Sequence, residues 1–243
     1  MKNHLHSLII GVAIVLTALI LSHAFRNRNN AGHSISVTGL GSKDFVSDLI
    51  VWSGSFTRKN AQLSAAYAAL NSDREQITAY ITRQGIPQNA IIFSAVEISK
   101  EFDNQYDSYG NLVKSVFSGY SLSQRIQIES PEVDKVEALS RQVTELINSG
   151  IELSSNQPEY YYTKLAELKI EMIAEATRDA QLRASQIADN AGGNLGKLKR
   201  ADMGVFQIVA QNSSEDYAWG GSFNTTSKRK SASITVRLEY AAD

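Results

Sequence analysis

The feature that most constrains the fold is a switch of hydrophobic period that occurs twice along the chain. Residues 60–84 carry apolar side chains at helical spacing, whereas residues 116–129 and 230–240 alternate apolar and polar side chains. A period of 3.6 residues predicts a helix with one buried face, and a period of two predicts a half-buried strand. We therefore expect a two-layer α+β fold, in which antiparallel sheets pack against long helices.

The order of these segments also predicts a weak internal βαββ repeat. Strand, helix, glycine stop, strand, hairpin and strand follow one another at about 45–130 and again at about 150–240. The predicted strands are 34–39, 45–57, 90–100, 116–129, 151–154, 197–211 and 230–240, and the predicted helices are 60–84, 131–149 and 158–191.

Glycine, proline and polar residues predict where these elements end. Residues 39–41 are expected to break the first strand, and residues 85–87 to stop the first helix. Ser130 is the expected cap of the helix that Pro131 opens and Gly150 closes. The polar, aromatic segment 103–111 is expected to be a hairpin loop.

An apolar run near the N-terminus predicts a transmembrane or signal helix. Residues 8–21 are interrupted only by Gly11 and Thr17, and the segment 5–25 is long enough to span about 30 Å as a helix. One interpretation is a retained anchor that binds the membrane through residues 5–25. The other is a signal peptide cleaved near Ala24. The domain prediction is an anchor at 1–25, a linker at 26–33 and one folded domain at 34–243.

Composition excludes several function classes. The chain has no cysteine, and its four histidines all lie within the first 33 residues, so the body contains neither side chain. Ser-His-Asp and cysteine nucleophiles and thiolate or imidazole metal sites are excluded there. The body carries 21 basic and 25 acidic residues, which argues against nucleic acid as a partner. We expect no enzymatic activity, no cofactor and no metal.

Two groups of residues stand out as candidate contact surfaces. Clustered aromatic side chains in loops and at a predicted helix start are typical of protein interfaces. These possible interface residues are Tyr106, Tyr109, Tyr160, Tyr161, Tyr162, Tyr217 and Trp219. A stripe of small residues lets a helix pack closely against its neighbour. These helix-packing residues are Ala176, Ala180, Ala184 and Ala188.

The charged residues that could form a catalytic or binding site are interpreted as surface residues. Glu97 with Glu101 and Glu167 with Glu171 are spaced like exposed surface acids rather than a catalytic pair. The run 228–230 could bind anionic lipid or acidic groups, and a solvated strand entrance explains it as well.

The segment 175–198 resembles the C-terminal signature of the SIMPL-domain family. It has an alanine-rich helix, a glycine stop at Gly192-Gly193, and Leu195-Gly196 before a strand. The resemblance extends over residues 34–241 through further segments in the same order: Ile35-Ser36-Val37-Thr38-Gly39, Asp48-Leu49-Ile50-Val51-Trp52, Gly85-Ile86 with Ile91-Ile92, and Ser118-Gly119-Tyr120.

The resemblance implies an exported or envelope-attached bacterial protein without established catalytic residues. Members of the family are linked to oxidative-stress tolerance, and some form ring-like or channel-like homo-oligomers. The expected location is the bacterial inner membrane, single-pass, with the domain in the periplasm, or the periplasm itself if the segment is cleaved. We expect a membrane-anchored envelope protein that acts through self-assembly as a homo-oligomer or by binding other envelope proteins. The resemblance also suggests a role in oxidative-stress tolerance. The alternatives are a carboxylate-based enzyme on an envelope substrate and an inner-membrane adaptor that faces the cytoplasm.

Overall fold

The structure is a computed structural model that describes residues 11, 14–22, 34–215 and 218–242. It confirms the predicted mixture of helices and strands in two sheets. The strands are β1 Ser34–Val46, β2 Leu49–Asn60, β3 Ile91–Phe93, β4 Glu97–Tyr106, β5 Leu112–Ser130, β6 Leu153–Ser155, β7 Glu159–Tyr161, β8 Leu195–Met203, β9 Gln207–Ala210, β10 Ser222–Phe223 and β11 Arg229–Ala242. The helices of this body are α1 Leu63–Arg83, α2 Val133–Gln142 and α3 Leu165–Asn190, with 3-10 turns at Gln88–Ala90 and Val143–Ser149.

The chain divides into two compact units, each built from separated segments. Unit 1 comprises Met1–Lys43, Leu168–Phe206 and Ser233–Asp243, within the described residues. Unit 2 comprises Asp44–Glu167 and Gln207–Ala232. One five-stranded sheet has the order β1-β11-β9-β10, with β8 also paired to β11, and the other has the order β3-β5-β2-β6, with β4 on β5 and β7 on β2.

Unit 2 is organised around the antiparallel pair β2 and β5. The two strands stay in register from Ile50 opposite Ser130 to Asn60 opposite Tyr120. Alternation along both strands directs one set of side chains into a core that α1 and α2 cover. The fully buried members of this core include Trp52, Phe56, Leu70, Ile77, Ile81, Ile126, Ile128, Val136 and Leu139. The Trp52 indole nitrogen donates a hydrogen bond to Ser155 Oγ at 2.9 Å, so its polar group is satisfied.

The sequence predicts the end of α1 correctly but not the start of α2. Gly85 follows α1 in a left-handed conformation with φ 87°, as the sequence predicts. The predicted start of α2 is wrong by two residues, because the helix begins at Val133 with Glu132 in the capping position. Ser130 Oγ instead accepts a hydrogen bond from the backbone nitrogen of Glu132 at 3.1 Å, which forms a turn before the helix.

Unit 1 is built on close contact between α3 and β1. Ala176, Ala180, Ala184 and Ala188 are all buried. A Cβ added to Gly39 would overlap the carbonyl oxygen of Ala176 and the amide nitrogen of Ala180, and one added to Gly41 would overlap Met172. The predicted break at 39–41 is therefore wrong. The glycines belong to a continuous strand, and their missing side chains leave room for the helix backbone.

A second contact joins the same two elements. The Leu40 backbone nitrogen donates a hydrogen bond to Asp179 Oδ2 at 2.9 Å. Asp179 also accepts from Arg183 at 3.0 Å, and this hydrogen bond and that from Leu40 lower the pKa of its carboxyl. On the other side of the unit, β8 pairs antiparallel with β11, from Val236 opposite Met203 to Ala242 opposite Leu195.

Four other predicted boundaries differ from the structure. Helix α3 begins at Leu165 rather than near 158, because residues Glu159–Tyr161 form β7 and pair with β2. The predicted strand at 90–100 is interrupted after Phe93, and that at 197–211 after Met203. The predicted loop 103–111 is shorter, since β4 continues to Tyr106.

The described part of the N-terminal segment is helical and uncovered. Residues 14–22 form helix, and their large apolar side chains are 54% to 68% exposed. Among the described residues, no helix has both the length and the apolar character needed to cross a membrane. Most of the predicted span 5–25, at residues 5–10, 12–13 and 23–25, lies outside the described residues.

Candidate interaction surface

A two-stranded ribbon extends from the sheet of unit 2. It consists of β4, the turn after it and the first part of β5, residues 97–119, and is called the arm below. The antiparallel register runs from Glu97 opposite Ser123 to Tyr106 opposite Leu112, with irregularities after Glu101 and Gln105. The first seven residues of β5, 112–118, are exposed, and burial begins at Gly119.

One face of the arm carries most of its large apolar side chains together with Lys100 and Asn104, and the other face is mainly polar. Because side chains alternate along a strand, Ile98, Phe102 and Tyr106 point to the same face of β4. Phe102 lies opposite Phe117, with ring centroids 5.9 Å apart, and Phe117 lies 5.1 Å from Tyr120. The opposite face of β4 carries polar side chains: Glu97, Ser99, Glu101, Asp103 and Gln105.

The apolar side chains of the arm are largely uncovered. Tyr109 is 89% exposed, and the others are between 43% and 67% exposed. They are Ile98, Phe102, Tyr106, Leu112, Val113, Val116 and Phe117. In the part of the chain that the structure describes, β4 pairs only with β5, so its outer edge has no strand beside it. An apolar face joined to an open strand edge is typical of a protein interaction site.

The tip of the arm is held by one aspartate. Asp107 Oδ1 accepts hydrogen bonds from the backbone nitrogens of Tyr109 and Asn111, each at 2.9 Å. These bonds, those from Asn111 first, lower the pKa of the Asp107 carboxyl. Gly110 supplies the left-handed residue of the turn, with φ 83°. The turn thus fixes the register in which Tyr106 meets Leu112.

The base of the arm combines a close backbone contact with a small apolar cavity. A Cβ on Gly119 would lie 2.8 Å from the carbonyl oxygen of Asn60, so this position admits no side chain without adjustment. Beside it, a cavity of about 550 Å³ is lined by Leu63, Ser64, Tyr67, Ile98, Tyr120 and Leu122. Five of these six residues are aliphatic or aromatic, and through Ile98 the cavity joins the apolar face of the arm.

The structure does not gather the predicted aromatic residues on one surface. Tyr106 and Tyr109 belong to the arm. Tyr160 is buried in the core, which corrects its assignment to an interface; its strand β7 pairs with β2, so the ring points inward. The Tyr161 hydroxyl donates to Glu159 at 2.9 Å, which raises the pKa of Tyr161, and the Tyr162 ring lies 4.8 Å from that of Phe45.

The other two predicted aromatics lie in the loop before β10. Trp219 is fully exposed, and Tyr217 lies outside the described residues. The sequence missed the apolar partners that make the arm a surface, above all Phe102 and Phe117. Equal spacing from the turn would not have identified this pair, because Phe102 lies four residues before Tyr106 and Phe117 lies five after Leu112, and irregularities in the register bring the two opposite each other.

The charged candidates are engaged in structural contacts. Glu101 binds Lys59 at 2.6 Å, and Glu171 binds Lys43 at 2.6 Å. Lys228 contacts both Asp134 and Glu137. Lys230 is 1% exposed, and its amine donates to the backbone oxygen of Tyr160 near the Phe223 ring. Burial lowers the pKa of Lys230 to about 8. Within the described residues, no cluster of three acids or histidines could hold a metal ion.

Comparisons with solved structures find distant likenesses. The chain is 12% identical to an amidase of the hydantoinase/carbamoylase family from Burkholderia phymatum, with a TM-score of 0.25, over 54% of this chain and 33% of the amidase. It is 12% identical to the regulatory subunit of aspartate kinase from Thermus thermophilus, with a TM-score of 0.17, over 84% and 88% of the two chains. Neither likeness supports an inference about fold or function.

A comparison with curated proteins finds no significant match. A family model does match: SIMPL, described as a protein of unknown function (DUF541), over residues 35–240. That match covers most of the chain, including the arm and the close contact between α3 and β1. The chain therefore belongs to the SIMPL family.

Proposed function

We propose that this protein is a membrane-anchored envelope protein whose non-catalytic SIMPL domain works by self-association through the apolar face of the arm. The observation that carries the proposal is that face, on which five large apolar side chains remain exposed beside an open strand edge: Ile98, Phe102, Tyr106, Leu112 and Phe117. Monomeric soluble proteins rarely expose contiguous apolar surface of this kind without a use for it.

A second copy of the chain is the partner that fits the arm best. The outer edge of β4 offers unpaired backbone groups along ten residues, which another β4 can pair with in antiparallel orientation. Such pairing is isologous, because each strand then contributes the same residues to the interface. The pairing of two β4 strands also joins the two apolar faces into one larger surface, to which Phe102 and Phe117 of each copy contribute.

The N-terminal segment supports anchoring at a membrane. Its sequence is apolar over 5–25, and the described helical part exposes apolar side chains that nothing in the described structure covers. Anchoring predicts that the full chain stays in the membrane fraction after extraction with high salt. Release of a shorter, soluble form would instead favour cleavage near Ala24. Protection from external protease in intact spheroplasts would favour an adaptor that faces the cytoplasm.

The non-catalytic part of the proposal is supported by the environment of the acidic side chains. Glu101 and Glu171 bind lysines at the surface, and Asp73 is held by Arg58 at 2.5 and 2.8 Å. A carboxylate enzyme would need two acids whose environments separate their pKa values. A role in oxidative-stress tolerance stays a hypothesis from the family resemblance. A deletion strain no more sensitive to peroxide than its parent would contradict it.

Native mass spectrometry of the detergent-solubilised full chain tests self-association. We expect an oligomer for the unaltered chain and a shift to smaller species when Phe102→Ser and Phe117→Ser are combined. Ile170→Ser is the matched control, because Ile170 is an exposed apolar residue on α3 in unit 1. A monomeric unaltered chain, or equal masses for all three proteins, would contradict the proposal. Far-UV circular dichroism checks that each variant is folded.

A further inference from the structure

A cleft on unit 2, away from the arm, has the features of a ligand site. It has a volume of about 630 Å³ and lies between the C-terminal half of α1 and the edge strand β3. Pockets for small molecules commonly fall in this size range. Arg74, Thr82 and Arg83 line it from the helix, and Gln88, Ile91 and Phe93 line it from the other side.

The cleft holds two arginines that make no salt bridge with any residue the structure describes. Elsewhere in unit 2, Arg58 is bound by Asp73 and Arg141 by Glu137, whereas Arg125 and Arg229 make no salt bridge with a described residue. Asp73 directly precedes Arg74, but it is buried and already bound to Arg58. The one carboxylate on the cleft is Glu75, which accepts a hydrogen bond from Asn71 at 3.1 Å. With two arginines against the one carboxylate of Glu75, the cleft carries an excess of one positive charge.

The apolar side of the cleft is fixed by the core. Phe93 packs edge-to-face on the buried Phe56, with ring centroids 6.3 Å apart. The guanidinium carbon of Arg74 lies 5.9 Å from the centroid of the same Phe93 ring. An arginine held against an aromatic ring keeps hydrogen-bond donors available while its position is restricted. The cleft thus places a cation directly beside an apolar floor.

Polar groups with spare hydrogen-bonding capacity lie on the rim. The Arg83 Nε donates to the backbone oxygen of Ala79 at 3.3 Å, which leaves its terminal nitrogens for another acceptor. Within the described residues, the Gln88 amide and the Thr82 hydroxyl make no hydrogen bond. Thr78 is different, because its hydroxyl donates to the Arg74 backbone oxygen at 2.7 Å. Arg74, Arg83, Thr82 and Gln88 thus offer hydrogen-bond donors to a ligand, beside the single carboxylate of Glu75.

We propose that this cleft binds a small organic anion, whose carboxylate or phosphate is held by Arg74 and whose apolar body lies on Ile91 and Phe93. Arginine suits this task because its planar donors match the oxygens of both anions. The excess of positive charge alone would attract any anion weakly. The apolar floor selects one that also carries carbon, and this selection distinguishes a ligand site from a merely basic surface.

Isothermal titration calorimetry on the full chain in detergent tests the proposal. The probes are phenyl phosphate and phenylacetate, with inorganic phosphate and benzyl alcohol as partial ligands. We expect at least one of the organic anions to bind, and both partial ligands to bind at least tenfold more weakly. The tighter of the two anions then identifies the head group. No binding of either organic anion, or equal binding of inorganic phosphate and phenyl phosphate, would overturn the proposal.

Variants locate the binding. We expect Arg74→Gln to weaken binding of the tighter anion at least tenfold and Phe93→Leu to weaken its binding severalfold. Arg178→Gln, an exposed arginine on α3, should leave binding unchanged. Equal losses for Arg74→Gln and Arg178→Gln would show that charge alone attracts the probe and would refute the site. Arg74→Gln should not change the oligomer mass, so this test is independent of self-association through the arm.

Discussion

The two halves of β5 belong to one strand and differ in how their side chains are covered. Leu122, Ile126 and Ile128 lie in the second half and are fully buried, whereas Leu112 and Phe117 in the first half are exposed. Both halves pair with a neighbouring strand, β2 or β4. Only the second half has helices packed over it. Hydrogen-bonded pairing alone thus extends a ribbon, and a second layer is needed to bury its apolar face.

The comparison explains why an exposed apolar face persists in the first half. Burial of apolar side chains stabilises the second half directly, because it removes their surface from water. The arm gains much less of this within the monomer, because side chains of the same type remain 43% to 67% exposed there. Its apolar residues are therefore better explained by contact with another molecule than by folding of this chain.

The largest expected effect compares one substitution at two positions of β5. Leu122→Ala should lower the free energy of unfolding by about 2–5 kcal/mol, since it opens a cavity in the core. Leu112→Ala should change it by less than about 0.5 kcal/mol, because that side chain is 56% exposed. Urea denaturation of both variants measures the difference. Similar losses at both positions would show that the arm is covered in solution by contacts within the monomer.

The next largest effect is on the pH dependence of stability, and it comes from the buried amine of Lys230. The pKa of Lys230 is about 8 in the folded protein, against 10.5 when unperturbed. Between these pH values the unfolded chain binds more protons, so the free energy of unfolding should rise with pH, by at most about 3 kcal/mol. Below pH 8 the amine is charged in both states and this gain is absent.

Urea denaturation at pH 7.5 and pH 9.5 measures that rise. Lys230→Met should abolish it, and Lys114→Met, which removes an exposed lysine of the arm, should preserve it. A rise that persists unchanged in Lys230→Met would mean that another group is responsible. The two leucine substitutions compare a buried with an exposed apolar side chain, and the two lysine substitutions make the same comparison for a charged one.

Gly119 marks the point where the two halves of β5 meet, and its substitution should have a smaller effect. Its φ of 155° and the nearby Asn60 carbonyl oxygen make a Cβ unfavourable. Gly119→Ala should therefore lower the free energy of unfolding by about 1–3 kcal/mol, as is typical of local backbone strain. Thermal unfolding followed by circular dichroism measures it, with Gly110→Asn at the open tip as control. An unchanged midpoint in Gly119→Ala would show that the strand shifts freely at this point.

The smallest expected effect is confined to the tip of the arm. Asp107→Ala removes the acceptor of the turn and should speed hydrogen exchange of the Tyr109 and Asn111 amides, without changing exchange in the second half of β5. Because the pKa of Asp107 is lowered, the carboxylate supports the turn above its ordinary pKa and loses this role as the pH falls through its lowered value. Exchange at pH 5 and at lower pH, corrected for the intrinsic rate, checks this. Faster exchange throughout β5 would contradict a local role.

The features that could be predicted from sequence are those with local causes. The period of residues 60–84 predicted α1, and Gly85 and Gly150 mark helix ends where the sequence placed them. The alternation of residues 230–240 predicted β11, which the structure extends to Arg229–Ala242. In each case neighbouring residues determine the outcome, so no knowledge of distant partners is needed.

The features that were missed depend on partners far along the chain. Gly39 and Gly41 predict a break when considered locally, but α3 packs on them from more than 130 residues away. Tyr160 was expected at a helix start, but it lies in β7, which pairs with β2. For the candidate surface, Tyr106 and Tyr109 were identified, but the apolar face required the register that pairs Phe102 with Phe117.

The discontinuous layout of unit 1 has a consequence for the order of folding. Its strands β1 and β11 come from opposite ends of the body, and α3 lies between them in sequence. Contacts between such distant segments must wait until the last strand has been synthesised, and they close large loops slowly. During synthesis the chain therefore stays incompletely folded in this unit until its final residues emerge. The parts of unit 1 that come first in the chain therefore depend on its last strand for their stability.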